Sequence, residues 1–204
     1  MIKAVVFDLD NTLVTSNINF QQLRLELACP ADKDLLTHVD ETFCDTERQQ
    51  RIETILKHEL DDAEASDLMA GARSLTDWLS NEGLRFGIIT RNCREAAKKK
   101  LTAHALTIEE LITREDFPAK PDPSALLHLV DKWQLEQHNV LYVGDHQYDI
   151  LTAQNAGCLS CFISNSSQTP DTFGADLHYS SLDGLLTYLQ ESYLQESYLQ
   201  KGHL

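Results

Sequence analysis

The 204-residue chain is short of basic residues, has no long apolar run, and carries few cysteines, in no regular pattern. Nothing approaches the roughly 18 consecutive apolar residues that a membrane-spanning helix needs, so none is expected. With 17 Lys and Arg against 32 Asp and Glu, the formal net charge is −15. The basic stripes that nucleic-acid binding requires are missing, which argues against a nucleic-acid partner. An anionic substrate is not excluded on the same ground. Salt screens exposed charges beyond about 8 Å, so local groups decide binding. The five cysteines, Cys29, Cys44, Cys93, Cys158 and Cys161, are odd in number and scattered. That fits reduced thiols in a cytoplasm better than a disulfide framework. Cys158 and Cys161 form a nominal CxxC, but it straddles the start of an expected strand rather than a helix N-terminus, which speaks against a redox role. The amino terminus goes from Lys3 straight into a strand followed by acids, unlike a secretory leader. A hydrophobic content of 42% and a charged content of 24% are ordinary for a globular protein. The length suits one large domain, or one domain with a modest insertion.

The rest of the chain is organised around its first fourteen residues, MIKAVVFDLDNTLV. Ala4-Val5-Val6-Phe7 is an apolar, β-branched run of the kind that forms a buried strand in a parallel sheet. It ends in Asp8-Leu9-Asp10, whose alternate carboxylates point to one side in an extended conformation. Ligands of open α/β sheets sit beyond the carboxyl ends of the strands. Two carboxylates that close repel each other unless a cation or a shared proton intervenes.

From Val14 to about Ala70 there is no strand-like alternation and a single proline, Pro30. Leu23 with Leu27, then Leu35, Leu36 and Val39 with Phe43 one turn on, then Ile52, Ile55, Leu56 and Leu60 are spaced as helix faces. Three or four helices are expected, interrupted near Cys29-Pro30 and near Asp61-Asp62, with solvated charged faces. Arg24, on the first helix, either reaches over the site to a substrate carboxylate or phosphate, or is an exposed arginine. A further helix from Gly71 ends at Gly83. A strand over Arg85–Thr90 then closes in Thr90-Arg91-Asn92, and Asn92 with Glu95 three residues later reads as a capping box. A hydroxyl at a strand end beside a helix N-terminus is a sound place to hold phosphate. After a short strand at Glu110–Thr113, Lys120 sits in a loop stiffened by prolines, and Asp122 and Pro123 start a helix. A strand over Asn139–Val143 closes with Gly144-Asp145-His146-Gln147-Tyr148-Asp149, placing Asp145 and Asp149 four apart on one face if a helix begins at once. Strands at Leu159–Ile163 and Asp176–Tyr179 and a helix from Leu182 complete the chain. That helix contains a Tyr-Leu-Gln-Glu-Ser repeat from Tyr188, whose five-residue step keeps the tyrosines off one face.

Asp8 and Asp10, Thr90, Lys120, and Asp145 with Asp149 thus recur in order at strand ends. This set resembles the four motifs of the haloacid dehalogenase superfamily, and the helical insert resembles the small type-one cap of its phosphoglycolate-phosphatase-like branch. The resemblance implies an α/β fold, a Rossmann-like doubly wound parallel sheet formed by residues 1–14 and 71–204, with an all-α cap at 15–70. It implies a phosphatase in which Asp8 is the nucleophile, Asp10 the general acid and base, and Thr90 and Lys120 the phosphate ligands, joined by Asn92 and Arg91. It further implies Mg2+ held at Asp8, Asp10 and Asp145 with Asp149 completing the site, a small phosphorylated metabolite as partner, and a monomer or homodimer. His146 departs from the Ser or Thr common after the first Asp of the fourth motif, and either alters the local hydrogen bonding or points away. A phosphomutase of the β-phosphoglucomutase type keeps the same acids, a haloacid dehalogenase lacks the second one, and a non-catalytic binding module would keep the fold without turnover.

Physical chemistry asks for such company. A carboxylate approaching a phosphate dianion meets a repulsion of about 4 kcal/mol per charge pair at ~4 Å and an effective dielectric of ~20, or about three decades of rate. A hard divalent cation and one ammonium can offset it.

Overall fold

The computed structural model describes residues 1–165 and 171–201, with side chains to residue 195. Six parallel strands, β1 (Ala4–Phe7), β2 (Arg85–Ile89), β3 (Glu110–Ile112), β4 (Val140–Gly144), β5 (Leu159–Ile163) and β6 (Leu177–Tyr179), form one sheet in the order β3-β2-β1-β4-β5-β6. The β1 strand is central, pairing with β2 on one side and β4 on the other, so that Phe7 lies level with both Ile88 and Val143. All four of its residues are fully buried, which is why it reads as an unbroken apolar run. The pleat still sorts them: Val5 and Phe7 join one apolar cluster, Ala4 and Val6 the other, as alternation across a strand requires.

Helices cover both faces. On one side α4 (Ala72–Asn81), α5 (Arg94–Ala103) and α8 (Leu182–Lys201) contribute Leu75, Leu79, Ala97, Leu101, Leu185 and Leu189. On the other, α6 (Ser124–Trp133) and α7 (Gln147–Ala156) contribute Leu126, Leu129, Trp133 and Ala153. Connections from β1 run outward in both directions, so the winding reverses between β1 and β4. A crevice opens there beyond the carboxyl ends of the strands.

Between β1 and α4 lie α1 (Phe20–Glu26), α2 (Leu35–Asp40) and α3 (Asp45–Glu64). They bury Leu23, Leu27, Leu35, Val39 and Ile55 in a cluster of their own. Three expectations are corrected here. No break occurs at Asp61-Asp62, because Asp62 is buried and ion-paired within the last turns of α3. Phe43 does not extend the face of α2, which ends at Asp40, and its side chain is fully exposed. Nor are all the charged faces solvated, since Glu59 and Asp62 are buried. The α3 helix also packs on α5 through Ala63, Cys93 and Ala96.

Two helix starts differ from the sequence reading. Cys93, not Asn92, caps α5, its Sγ accepting from the Ala96 N–H at 3.4 Å. Asp122 does accept from the Ser124 N–H at 2.9 Å, but α6 begins one residue late, after Pro123. All five cysteines are free thiols. Cys158 and Cys161 are buried, and burial pushes both thiols up, Cys158 to about 11. Among the described residues no helix is long and apolar enough to cross a membrane. Within the tail repeat, Tyr188 packs against the core and Tyr193 meets Trp78 edge-on at 6.0 Å, whereas the side chain of Tyr198 lies outside the described ones.

Candidate active site

Three of the predicted site residues are placed directly by strand ends. Asp8 comes directly after β1, Thr90 after β2 and Asp145 after β4, and the in-register parallel pairing brings those three ends level. Asp8, Asp10, Thr90, Arg91, Asn92, Lys120, Asp145 and Asp149 all line one cavity of about 480 Å³, roofed by α1–α3.

Lys120 is the central cation. It is buried, and its Nζ donates to Asp8 Oδ1 and to Asp149 Oδ1, each at 2.6 Å. Burial opposes its charge, but Asp149 and Asp8 overrule that and hold its pKa well above the usual lysine value. Asp149 is positioned in turn by α7. Its Oδ2 accepts from the His146 N–H at 3.0 Å, while the His146 side chain accepts from the Tyr148 N–H, so the two residues form a capping box. His146 therefore works as a helix cap, in place of a hydroxyl residue. Gly144 is required here for space, since a Cβ on it would lie 2.2 Å from Asp149 Cγ.

Carboxylates of Asp8, Asp145 and Asp149 have oxygens within 4.8 Å of one another. Burial first, then the neighbouring charges of Asp8 and Asp149, push the Asp145 carboxyl up to about 8. Burial likewise raises Asp8 against the opposing pull of Lys120. One ammonium does not compensate this much negative charge. The donor set is all hard oxygen and suits a small divalent cation.

Asp10 is held from two sides. Asn92 Nδ2 donates to its Oδ2 at 2.9 Å and Lys100 Nζ to its Oδ1 at 2.5 Å. Its pKa is raised, by burial above all and also by Asp8, with Lys100 opposing. Lys100 escaped the sequence reading. It is fully buried on α5 and bridges Asp10 to Asp62 Oδ2 of α3 at 2.6 Å, while Asp62 Oδ1 accepts from the Asn17 N–H at 2.6 Å. The signal was present: Lys100 falls four residues after Ala96 and just before Leu101 on the buried stripe of α5, and Asp62 continues the Ile55–Glu59 stripe of α3. Glu59 adds a parallel link, pairing with Arg114 and accepting from the Cys93 N–H at 3.2 Å.

Thr90 is buried at the cavity lining, and its Oγ1 accepts from the Asn92 N–H at 3.1 Å. Arg91 donates to Asp34 Oδ2 at 2.6 Å and to the Lys120 carbonyl at 3.2 Å, with its guanidinium 4.8 Å from the Tyr148 ring centre. It thus ties the N-cap of α2 to the Lys120 loop.

A parallel doubly wound sheet with a carboxylate cluster, one ammonium and a helical roof at its switch point defines a HAD-type hydrolase fold. The family model of haloacid dehalogenase-like hydrolases matches residues 5–163, and the chain belongs to that family. A haloacid dehalogenase-like hydrolase domain-containing protein of Arabidopsis thaliana is 28% identical over 185 residues, covering 84% of this chain and 75% of the relative. A phosphoglycolate phosphatase of Rhodospirillum rubrum is 30% identical over 187 residues, covering 77% of each. Among solved structures, a hydrolase from Pseudomonas syringae superposes with a TM-score of 0.78 at 21% identity, over 93% of this chain and 98% of that one. That last likeness shows the fold alone.

Proposed function

We propose that the chain is a Mg2+-dependent phosphatase that hydrolyses a small phosphomonoester through an aspartyl-phosphate. The observation that carries the reading is the meeting of Asp8, Asp10, Lys120 and Asp145 at one cavity. Asp8 attacks phosphorus and the ester P–O bond breaks, while Asp10 gives its proton to the leaving oxygen. Water then attacks the phosphoryl group, Asp10 takes the proton back, and phosphate leaves with Asp8 regenerated. Lys120 and Thr90 take the phosphoryl oxygens, and Lys120 also fixes the Asp8 carboxylate for attack. Asn92 and Lys100 hold Asp10 between them, which keeps the acid from rotating away between the two half-reactions. Mg2+, when bound, would be held by the carboxylates of Asp8 and Asp145 and the backbone carbonyl of Asp10, with Asp149 alongside, and supplies positive charge against the repulsion between Asp8 and the phosphate.

In this reading residues 15–70 are a cap on a core of 1–14 and 71–204, and the cap excludes water from the first step. Opening at hinges near Thr15 and Gly71 must break Asp62–Lys100, Glu59–Arg114, Glu64–Lys99 and Arg91–Asp34. The test is phosphate release from an aryl phosphate with Mg2+. Release that is lost in Asp8→Asn and in excess chelator supports the reading; release that survives Asp8→Asn refutes it.

A further inference from the structure

Asp62 of α3 grips two separate parts of the chain. Its Oδ1 accepts from the Asn17 N–H and its Oδ2 from Lys100 Nζ, each at 2.6 Å. Asn17 belongs to the segment that leaves the sheet, and that segment is paired with the one that returns. Leu13 O accepts from the Met69 N–H at 3.0 Å, and the Thr15 N–H donates to Asp67 O at 2.7 Å. The Asp67 N–H donates back to Thr15 Oγ1 at 2.8 Å, and Val14 and Leu68 form an antiparallel bridge between these contacts. Asp62 closes the far end of this ladder. At the near end Asp10 bridges to Val14, and the Asn11 N–H donates to Val14 O at 2.6 Å. Contacts therefore run in a ring, from Asp10 through the paired linkers to Asp62, on to Lys100 Nζ, and back to Asp10 Oδ1 at 2.5 Å.

The ring bears on the direction of one carboxyl group. Two donors hold Asp10, Asn92 on Oδ2 and Lys100 on Oδ1; with either one alone the group is free to turn about the other. Lys100 is fully buried, and its flexible four-carbon stem lets the ammonium follow whichever carboxylates surround it. Asp62 therefore decides where that ammonium stands. Asp62 is carried by α3, which sits on α5 through Leu56, Leu60 and Ala63 against Cys93 and Ala96. We propose that Asp62 is a positioning residue that acts through Lys100 to aim Asp10 at the leaving oxygen, so that proton donation is complete only while α3 is seated on α5. This rests on the phosphatase reading above and adds the residue by which α3 controls its acid. With α3 lifted, Lys100 is left to Asp10 alone and the acid is out of line, a misplacement of the kind that costs about 10²-fold in rate.

The test uses two esters of like shape that differ in their need for the proton. The phenolate of p-nitrophenyl phosphate leaves unprotonated, whereas p-nitrobenzyl phosphate must leave as the alcohol. The ratio of their kcat/KM values does not depend on how much of a variant is folded, and it is measured with Mg2+ in the wild type, Asp62→Asn, Lys100→Met and the double variant. Asp62→Asn keeps an oxygen for the Asn17 N–H and removes the charge that faces Lys100. It lowers kcat/KM for the benzyl ester about 10- to 100-fold relative to the phenyl ester, part of the ~10²–10⁴ that a positioned general acid contributes. Asp62→Glu, which keeps the charge, recovers part of the ratio. Lys100→Met lowers it at least as far, and adding Asp62→Asn then changes nothing more, because the two residues act in series. Glu64→Gln breaks the exposed Glu64–Lys99 pair between the same two helices and leaves the ratio as it is. Equal losses on both esters or no loss in Asp62→Asn, additive losses in the double variant, or the same shift in Glu64→Gln would each overturn the proposal and leave the phosphatase reading standing. A wild type that cleaves neither ester sinks both.

Discussion

Replacing Lys100 with methionine removes an ammonium that stands between two buried carboxylates while keeping most of the side-chain volume. Lys100 Nζ lies 2.5 Å from Asp10 Oδ1 and 2.6 Å from Asp62 Oδ2. At about 2.6 Å and an effective dielectric of ~20, each contact is worth roughly 6 kcal/mol in gross Coulomb energy. Desolvation cancels much of that, and breaking a buried pair from one side costs about 3–5 kcal/mol net. For a chain of this size each kcal/mol moves Tm by roughly 2–4 °C, so Lys100→Met should melt about 6–20 °C lower near neutral pH. The pH dependence carries a second signature. Burial and Asp8 already hold the Asp10 carboxyl above the ordinary carboxylate range, against the pull of Lys100. A carboxyl raised in the folded state favours folding below its unfolded pKa, and that contribution is lost as pH rises through the folded pKa. Without Lys100 the folded pKa of Asp10 climbs further, so the deficit is full above it and shrinks as acid protonates the group. Thermal melts of both proteins from about pH 5 to about pH 8, in chelator, read this directly. A Tm change below about 2 °C, or a deficit that does not shrink toward acid, would refute the view that Lys100 is the counter-ion of Asp10 and Asp62.

The Asp145 carboxyl, pushed up to about 8 chiefly by burial, must lose its proton to bind a cation. Without metal it stabilises the fold below the usual carboxylate pKa and loses that effect as pH rises through about 8, so the Tm gain from saturating Mg2+ should be larger at about pH 8.5 than at about pH 6.5; the reverse order would count against a cation at these acids. Gly144→Ala places a Cβ 2.2 Å from Asp149 Cγ and should displace Asp149 from Lys120, at a cost of about 1–3 kcal/mol in denaturant melts together with a fall in turnover. Phe43→Ser, at a fully exposed side chain, should leave stability within about 0.5 kcal/mol by the same assay.

The local cues proved sound where a residue's placement depended on its neighbours in sequence. The run Ala4–Phe7 needed only its own side chains to specify a buried central strand, and Asp8, Thr90 and Asp145 were readable because each follows such a run directly. Helix starts were less legible. Cys93 caps α5 while Asn92 turns inward to Asp10, a choice made by a carboxylate 82 positions away along the chain. The supposed break at Asp61-Asp62 failed for the same reason: two adjacent acids look like a loop until Lys100 neutralises one of them.

Strand-like runs, helix periodicity and the family resemblance carried by the strand-end motifs pointed by themselves to the class of fold, the inserted helices and the carboxylates and lysine that line the cavity. These signals are local, and a strand end delivers its next residue to the same edge of any parallel sheet. Only the tertiary structure decided which charges compensate one another: Lys120 between Asp8 and Asp149, Lys100 between Asp10 and Asp62, and Arg91 on Asp34. Ion pairing depends on distances of a few ångströms between residues far apart in the chain, and the spacing of letters in a sequence does not contain them.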